Sequence, residues 1–447
     1  MTSTSAATTA GHTPADAGAP LPPGPKLPMP VQTVLLAATP HRWMPALRRR
    51  YGDVFALNTF PERRVVSVSA PEHIRTVFSG SATTFHAGEG NMVLRPVLGE
   101  HSVLTSDEDE HRRVRKLLMP PFHGTALRDY RTMVAELASA EVARWPVGTE
   151  FNSHTRMHAL TLEVILRVVF GFSEGARLEE LRVLLRRLVA VGLSDLLGWH
   201  VPALQRVGPW RRHAQLKARI DQLLYAEIDE RRRAEDLGER TDVLSRLLAV
   251  SVDGDALSDE ELRDQLITLL LAGHETTATA LAWTFHELAR LPAQHARATR
   301  AADSGDTDYL EAVIKESMRL RPVIYMVTRK LTDDIELGGY RIPAGYTVLP
   351  TIGLVHADPA HYDNPELFRP ERFLEANPPS TTWLPFGGGV RRCLGAGFSL
   401  MEATVVLREV LSRYNLTAPR RRPEPPRPRH VTLVPGRGAR IIAHERR

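Results

Sequence analysis

The spacing of apolar residues follows the helical repeat over most of the middle of the chain. Between residues 108 and 320 the apolar positions recur three and four residues apart, which is the pattern of helices that bury one face. Near the N-terminus, residues 71–78 predict a short helix that begins with Pro71 in its first turn. The other helices are predicted at 41–51, 108–118, 127–144, 153–169, 178–197, 210–237, 240–250, 258–291, 308–320 and 394–414.

Short runs rich in β-branched and aromatic residues flank this helical region on both sides. The first two such runs surround a turn at Pro61 and Glu62, and they predict a small hairpin. Residues 86–105 show no period and predict a long irregular loop, a kind of segment that often carries function. The pattern predicts a mainly α fold with a minor β portion near the start and in the C-terminal third. Strands are predicted at 54–58, 64–69, 327–331 and 347–351.

The chain is longer than one hydrophobic core usually supports, since it has 447 residues. After Pro28, however, it contains no long linker and no internal repeat. We therefore predict one domain over residues 22–447, preceded by a disordered Ala/Thr/Ser-rich tail over residues 1–21. The N-terminus lacks the features of a signal peptide, and its apolar run at 31–38 is too short to span a bilayer. We expect a cytoplasmic protein without a membrane anchor.

Composition narrows the class of function only slightly. The net charge is +5, and much of the excess lies in short arginine clusters, which are usually solvated. Aromatic residues make up 6% of the chain and no continuous basic stripe is present, so nucleic-acid binding is not expected. The single cysteine excludes an intrachain disulfide and a cysteine-rich zinc site.

That cysteine, Cys393, follows a glycine-rich bend and precedes a predicted helix. The segment is Phe-Gly-Gly-Gly-Val-Arg-Arg-Cys-Leu-Gly, from Phe386 to Gly395. Glycines permit tight bends and the close approach of a flat ligand. A helix N-terminus offers free N–H groups and a positive dipole end, which stabilise a thiolate. The alternative is a buried, inert cysteine.

A second unusual string lies in the middle of the long helix predicted at 258–291. Gly273 there costs about 1 kcal/mol relative to alanine, and threonine hydroxyls can bond back to the carbonyl four residues earlier. Ala272 and Thr276 share one face, and Glu275 lies beside them. We expect a local widening or kink at which a small molecule could form hydrogen bonds. An ordinary core helix is the alternative.

Two charged pairs lie at helical spacing elsewhere. Glu316 and Arg319 are three residues apart, and His111 and Arg115 are four apart, so each pair shares a helix face. In isolation such pairs are usually solvated and contribute little to stability.

Taken in order along the chain, these strings resemble the cytochrome P450 family. The cysteine segment is similar to its haem-binding signature, and Glu316 with Arg319 resembles its Glu-x-x-Arg element. The string from Ala272 to Thr276 resembles its oxygen-activation element. The string Pro370-Glu371-Arg372-Phe373 resembles a further family element. The resemblance implies the P450 fold, with haem buried between the long central helix and the helix that follows the cysteine loop.

The resemblance also assigns roles. Cys393 is expected to ligate the iron of haem b, and Thr276 to hold dioxygen or a water while Glu275 feeds protons from solvent. Glu316, Arg319 and Arg372 are expected to form a buried network that locks the cysteine loop. The other residues expected to contact the haem are His111, Arg115, Arg329 and Arg391 at the propionates, and Phe386, Gly389, Gly395 and Ala272.

The expected reaction is insertion of one oxygen atom into a C–H or C=C bond of an apolar small molecule. Electrons would come from NAD(P)H through a ferredoxin reductase and a ferredoxin, and the enzyme would be a monomer of the bacterial soluble type. The donor would dock where Arg112, Arg113, Lys116 and Arg392 gather. Substrate contacts are expected from 86–103, 192–210, Ile267, Leu271, 323–327 and 430–433.

Two alternatives stay open from the sequence. One is a haem-thiolate enzyme that is not a monooxygenase, such as a peroxygenase, an isomerase or a nitric oxide reductase. The pair Glu275 and Thr276 disfavours the peroxygenase, because members of that type typically lack an acid beside the threonine. The other alternative is a haem sensor without enzymatic activity.

Overall fold

The structure is a computed structural model. It describes residues 18–122, 124–171, 175–188, 206, 208–249, 256–376 and 378–446. Helices dominate these residues. In chain order they are α1 (Met29–Ala38), α2 (Pro40–Tyr51), α3 (Pro71–Ser79), α4 (Ala87–Gly90), α5 (Arg95–Leu98), α6 (Glu108–Leu118), α7 (Thr125–Val142), α8 (Ser153–Phe170), α9 (Ala176–Leu188), α10 (Gly208–Arg232), α11 (Val243–Ala249), α12 (Asp259–Arg290), α13 (Pro292–Ser304), α14 (Thr307–Leu320), α15 (Ile352–His356), α16 (Arg372–Glu375) and α17 (Ala396–Arg413).

The strands form small sheets at the edge of this helical body. A five-stranded sheet has the order β1-β2-β8-β5-β3, in which only the β2–β8 pair is parallel, and a three-stranded sheet has the order β4-β12-β9. The pairs β6–β7 and β10–β11 are separate antiparallel ladders. The strands are β1 (Val54–Leu57), β2 (Val65–Val68), β3 (Phe85–His86), β4 (Glu150–Asn152), β5 (Arg329–Leu331), β6 (Ile335–Leu337), β7 (Tyr340–Ile342), β8 (Thr347–Pro350), β9 (Tyr414–Thr417), β10 (Pro426–Arg429), β11 (Thr432–Pro435) and β12 (Arg440–Glu445).

The long helix α12 organises the helical part. Its N-terminus is fixed by a capping box, in which the Ser258 side chain accepts from the Glu261 N–H and the Glu261 carboxylate accepts from the Ser258 N–H. The helix packs along α8, and at Gly273 a Cβ atom would lie 2.8 Å from Cδ1 of Ile165. The backbone stays α-helical through Gly273, so the predicted widening is absent there, and the glycine permits close contact with α8.

Three apolar cores hold the described elements together. The smallest packs α2 against β1 and includes Met44 and Phe55. The other two differ in size. The larger one surrounds α12 and includes Leu266, Leu270 and Leu281. The smaller one fills the space between the five-stranded sheet and the helices α3 and α15, with Val66 and Val348 at its centre. The mainly α fold with a minor β portion is thus confirmed.

Most predicted elements are present, and the differences have local causes. Helix α1 was not predicted because its sequence lacks a polar face, and the strands β9–β12 were not predicted because they are short and lie in a Pro- and Arg-rich region. The other elements that were not predicted are the helices α13, α15 and α16 and the short strands β3, β4, β6 and β7. The predicted irregular loop 86–105 contains the short helices α4 and α5. Residues 189–197 of one predicted helix and most of the disordered-tail prediction lie outside the described residues. None of the described helices combines the length and apolar composition that a bilayer crossing requires.

Candidate active site

The cysteine loop is closed by its own backbone. The N–H of Cys393 donates to the Phe386 carbonyl oxygen at 2.9 Å. Helix α17 begins at Ala396 with Gly395 as its N-cap, so it starts two residues later than predicted. The Gly395 N–H donates to the cysteine sulfur. The helix N-terminus thus supplies the N–H donor that a thiolate ligand requires.

The glycines of this loop have a steric function. Gly389 has a φ of +63°, and a Cβ atom there would lie 1.7 Å from the carbonyl oxygen of Phe78 in α3. At Gly388 a Cβ atom would lie 2.5 Å from the Phe78 ring. The loop therefore lies directly against α3, and no residue with a side chain can replace Gly389 without moving one of the two.

The surroundings of Cys393 combine exposure of the residue with desolvation of its sulfur. The residue is exposed, yet the protein around the sulfur desolvates it, and this burial raises the pKa of the thiol above its usual value. The two observations agree if the sulfur faces a narrow internal space with protein on all other sides. The Gly395 N–H, Arg115 and Arg392 oppose the effect of burial. A bound cation would deprotonate such a thiol outright.

The three residues predicted as a structural network meet in the core. Arg319 Nε donates to Glu316 Oε2 at 2.7 Å and Arg319 Nη2 to Glu316 Oε1 at 2.9 Å. Arg372 Nε donates to Glu316 Oε1 at 3.1 Å. Glu316 is fully buried, Arg319 is 1% exposed, and both guanidinium groups contact the ring of Tyr362. Each charge is thus paired, which a buried ion network requires.

This network is connected to the cysteine loop through α15. Arg319 Nη1 donates to the His356 carbonyl oxygen at 2.8 Å. The His356 ring accepts at Nε2 from the Leu384 N–H at 2.9 Å, and the Leu384 carbonyl accepts from the Gly387 N–H. His356 was not identified from the sequence, because an isolated histidine before an irregular stretch carries no distinguishing pattern.

Four of the predicted haem contacts form a positively charged cluster. The pKa of His111 falls to about 3, first because the ring is buried and then because Arg391, Arg115 and Arg329 repel a proton on it. Burial and the positive charge of Arg391 lower the pKa of Arg329 to about 10. Burial also lowers the pKa of Arg391 to about 10, although Asp107 opposes this effect. The cluster has the chemistry to bind two carboxylates.

Asp107 is the acid within this cluster, and sequence reasoning missed it. Its Oδ1 accepts from Arg391 Nη2 at 2.5 Å and from the Gly88 N–H at 2.8 Å, and its Oδ2 accepts from the Glu89 N–H. Arg391 also donates to the Val103 and Ser106 carbonyl oxygens. Asp107 precedes α6, where its type suggests an N-cap, but its side chain instead joins the cysteine loop to α4.

The residues expected to handle dioxygen lie in the middle of α12. Ala272 is exposed and Thr276 is half-buried, although most residues of this helix are buried. The Thr276 hydroxyl donates to the Ala272 carbonyl oxygen at 2.8 Å, which is the back-bond predicted from the sequence. An accessible patch of this kind within a buried helix indicates an internal cleft.

Glu275 is buried beside this patch and contacts the turn between β10 and β11. Thr432 Oγ1 donates to Glu275 Oε1 at 3.4 Å, and Arg429 Nε lies 3.6 Å from the same oxygen. Burial raises the pKa of Glu275, while Arg429, His430 and Thr432 oppose the increase. Neither Arg429 nor Thr432 was linked to Glu275 from the sequence, since more than 150 residues separate them.

Several segments predicted to line the substrate pocket adjoin α12. His101 N–H donates to Asp264 Oδ2 and Val103 N–H to Gln265 Oε1, both at 3.0 Å, so the 86–103 segment is bonded to this helix. The Leu433 N–H donates to the Val323 carbonyl at 2.8 Å, which joins two further predicted segments. Ile267 is buried and Leu271 is half-buried. Most of the predicted 192–210 segment lies outside the described residues.

The surface over the cysteine loop is only partly as predicted. Arg115 Nη2 donates to the Arg392 carbonyl oxygen at 2.7 Å, which brings α6 against the loop. Arg112, Lys116 and Arg392 are exposed. Arg113 departs from the prediction, because it pairs with Glu261 at the start of α12 and donates to the Ala256 carbonyl.

The donor set fits a haem. A single accessible thiol at a helix N-terminus is a suitable iron ligand, and the cluster around His111 can bind two propionates. At Gly387 and Gly395 no other atom lies within 4 Å of the position that a Cβ atom would take, and this open space suits close contact with a flat ring. The residues that would hold the group are therefore Cys393 for the iron and Arg115, Arg329, Arg391 and His111 for the propionates.

Comparison with known proteins also indicates a haem-binding protein. The family model described as Cytochrome P450 matches residues 22–442. Cytochrome P450 135A1 of Mycobacterium tuberculosis is 47% identical over 424 residues, 94% of each chain. Cytochrome P450 135B1 of Mycobacterium bovis is 47% identical over 428 residues, 94% of this chain and 91% of the relative.

A solved structure, the retinoic acid bound cyanobacterial CYP120A1, superposes with a TM-score of 0.84 at 25% identity, covering 96% of this chain and 100% of that one. Both the match over nearly the whole chain and the arrangement around Cys393 lead to one assignment. The chain belongs to the cytochrome P450 family, whose members are haem-thiolate oxidoreductases that receive electrons from a partner.

Proposed function

We propose that this protein is a monooxygenase that inserts one atom of dioxygen into a C–H or C=C bond of an apolar small molecule. The observation that carries the proposal is the presence of Glu275 next to Thr276 in the middle of α12. One is a buried carboxylate with a raised pKa, and the other is a half-buried hydroxyl beside an accessible patch. A haem sensor has no need for such a pair.

The cofactor is haem b in this proposal, and bound haem supplies the redox chemistry that activates dioxygen. Cys393 provides the thiolate, which the Gly395 N–H stabilises. Arg115, Arg329, Arg391 and the neutral ring of His111 hold the propionates. Asp107 limits the excess positive charge in this cluster and keeps Arg391 in place.

The protein's own contribution to the reaction is proton delivery. Cleavage of dioxygen consumes two protons, and an acid beside a hydroxyl can supply them in sequence. Glu275 carries the proton at its carboxylate. Burial raises the pKa of this carboxylate, so it keeps its proton at a higher pH than an exposed acid does. The Thr276 hydroxyl, now bonded to the Ala272 carbonyl, can turn to donate or accept at the dioxygen.

The substrate is an apolar small molecule. Among the predicted lining residues, Leu271 is half-buried and precedes the exposed Ala272 on α12, and Ile267 and Leu433 are buried apolar side chains. The structural relative CYP120A1 is described as bound to retinoic acid, which is an apolar molecule with one carboxylate. This supports the substrate class and leaves its identity open.

Electrons reach this enzyme from NAD(P)H through a ferredoxin reductase and an acidic ferredoxin in our proposal. The docking surface is the exposed cationic group formed by Arg112, Lys116 and Arg392. It lies next to the cysteine loop because Arg115 on α6 donates to the Arg392 carbonyl oxygen. We further propose that the enzyme is a cytoplasmic monomer and that residues 22–447 form one domain.

A two-part experiment tests the proposal. The purified protein is reduced and treated with carbon monoxide, and its difference spectrum is recorded. It is then incubated with ferredoxin, ferredoxin reductase, NAD(P)H and a library of apolar compounds chosen by the spin-state shift of the iron on binding. The proposal predicts a thiolate-type spectrum and incorporation of ¹⁸O from labelled dioxygen into product. A thiolate spectrum with rearranged product that contains no ¹⁸O would instead identify an isomerase.

A further inference from the structure

A cleft of about 430 Å³ lies away from the cysteine loop, between the C-terminal end of α12 and the three-stranded sheet. Its wall contains four arginines and only two acids. The complete lining is Glu150, His286, Ala418, Pro419, Arg420, Arg422, Glu424, Arg437 and Arg440. None of these residues has a role in the site that would hold haem.

The first two arginines lie on a backbone that α12 holds in place. Arg290 Nε donates to the Arg421 carbonyl oxygen at 3.1 Å, and the Ala418 N–H donates to the Ala289 carbonyl at 3.0 Å. Residues on either side of this anchored position, Arg420 and Arg422, both line the cleft. Their positions are therefore fixed by the backbone, and only the side chains need to order on binding.

The other two arginines are held by a buried acid. Glu424 is 8% exposed, and its carboxylate accepts from the N–H groups of Arg437, Ala439 and Arg440 at 2.8, 3.1 and 3.1 Å. These hydrogen bonds fix the orientation of the carboxylate but do not remove its negative charge, which offsets part of the guanidinium charge nearby.

The guanidinium groups differ in their pairing. Arg440 donates to Glu150 at 2.9 Å. Within the described residues, Arg420, Arg422 and Arg437 make no side-chain ion pair with a carboxylate. Four arginines and two acids line the cleft, so its wall carries an excess of two positive charges.

His286 forms an uncharged part of the wall. The ring is 2% exposed, and its Nε2 accepts from the Glu424 N–H at 3.1 Å. Burial, together with Arg290 and Arg321, lowers the pKa of His286 to about 3, so the ring is neutral near pH 7. The neutral ring must therefore carry its proton on Nδ1. This buried nitrogen has no hydrogen-bond partner among the described residues.

We propose that this cleft binds a small multivalent phosphate anion, either a diphosphate or a phosphate ester. Guanidinium groups match phosphate oxygens with paired N–H donors, and the excess of two positive charges in the wall favours a multivalent anion. A pocket of this volume is within the range that holds small molecules, whereas most such pockets are apolar and this one is not. Polar, cationic walls favour a charged ligand over the apolar substrate.

Isothermal titration of the haem-loaded protein with inorganic diphosphate, in buffer free of phosphate, tests the proposal. We expect saturable binding of one diphosphate per chain. The double variant Arg420→Gln/Arg422→Gln and the single variant Arg437→Gln should each weaken this binding by roughly tenfold or more, because hydrogen bonds to charged groups are lost. The carbon monoxide spectrum should stay unchanged in all of them, since the cleft is separate from Cys393.

The matched control is Arg49→Gln/Arg50→Gln on α2, which removes the same charge from an exposed surface elsewhere. It should leave the affinity for diphosphate unchanged. Absence of saturable binding at millimolar diphosphate would overturn the proposal. Equal weakening in the control and the cleft variants would mean an adventitious ion only and would also overturn it. So would unchanged diphosphate binding in the cleft variants combined with weaker binding of an acidic protein.

Discussion

The two sides of the proposed haem site are built on different principles. On the cysteine side, Glu316 is fully buried and forms short hydrogen bonds of 2.7 to 3.1 Å with Arg319 and Arg372. On the opposite side, Glu275 is also buried, but its partners Thr432 and Arg429 lie at 3.4 and 3.6 Å. A contact at 3.6 Å is an ion pair without a good hydrogen bond. One carboxylate is fixed and the other is left able to exchange a proton.

This difference corresponds to two tasks. A thiolate ligand must not move, so the network around Glu316 and His356 fixes the loop that carries it. A proton donor must change its charge during every turnover, and a fully paired carboxylate resists protonation. The comparison therefore predicts loss of folding from changes on the first side and loss of coupling from changes on the second.

The largest effect is expected for Glu316→Ala. Removing one member of a buried ion network leaves two buried guanidinium groups unpaired and costs about 3–5 kcal/mol. We expect aggregated or haem-free protein, measured by thermal unfolding and by haem content after purification. Glu311→Ala on the same helix is the control, since Glu311 pairs with Lys315 at the surface and should change little. A folded, fully haem-loaded Glu316→Ala protein would refute the structural role.

Thr276→Ala should leave the fold intact and disturb the reaction. Positioned proton donors contribute about 100-fold or more, so without this hydroxyl most NAD(P)H and oxygen should end as hydrogen peroxide and little as product. The measurement is product formed per NAD(P)H consumed. Thr284→Ala is a close control, because Thr284 makes the same back-bond, to Ala280 at 2.8 Å, in a buried part of α12. If Thr276→Ala and Thr284→Ala form the same amount of product per NAD(P)H consumed, the role of Thr276 is limited to packing.

Arg429→Gln tests the side of the site that contains Glu275. Burial raises the pKa of the Glu275 carboxyl and the nearby Arg429 cation opposes this, so removal of Arg429 should raise this pKa further. The part of the pH profile of turnover that depends on Glu275 should shift to higher pH, and Arg429→Lys should restore it. Arg427→Gln, exposed on the same hairpin, should leave the profile in place. An unshifted profile in Arg429→Gln would separate Arg429 from proton delivery.

The smallest effect concerns the surface over the cysteine loop. Arg112→Glu/Arg392→Glu reverses two exposed charges, so reduction of the iron by an acidic ferredoxin should slow by about tenfold at low salt and converge with the parent at high salt. Stopped-flow reduction provides the rate, and the substrate-induced spectral shift should be unchanged. Arg49→Glu on α2 is the control for charge alone. If the double variant is reduced as fast as the parent at low salt, the donor docks elsewhere.

The same comparison shows what the sequence could predict. The cysteine side is encoded in contiguous strings, so Glu316, Arg319 and Arg372 could be selected from spacing and resemblance, and the structure brings them together. The pair Glu275 and Thr276 was found in the same way. The helix boundaries followed from apolar periodicity, and α6 begins and ends where the spacing placed it.

Contacts that depend on distant segments could not be predicted. Asp107 resembles an N-cap in sequence, and only the fold shows that it bonds Arg391. Arg429 and Thr432 reach Glu275 because the β10–β11 hairpin lies on α12, and their own sequence carries no sign of this contact. Gly273 was misinterpreted for a related reason, since the need for glycine comes from Ile165 on another helix.

The central claim is that Cys393 supplies a thiolate to haem iron, and one measurement tests it most directly. The reduced carbon monoxide difference spectrum is recorded for the parent and for Cys393→Ser, with haem content and circular dichroism as checks on folding. The parent should show the Soret band of a thiolate-ligated carbonyl complex. Cys393→Ser, folded and containing haem, should lose that band. A thiolate-type band that persists in folded Cys393→Ser would contradict the account, because the chain has no other cysteine.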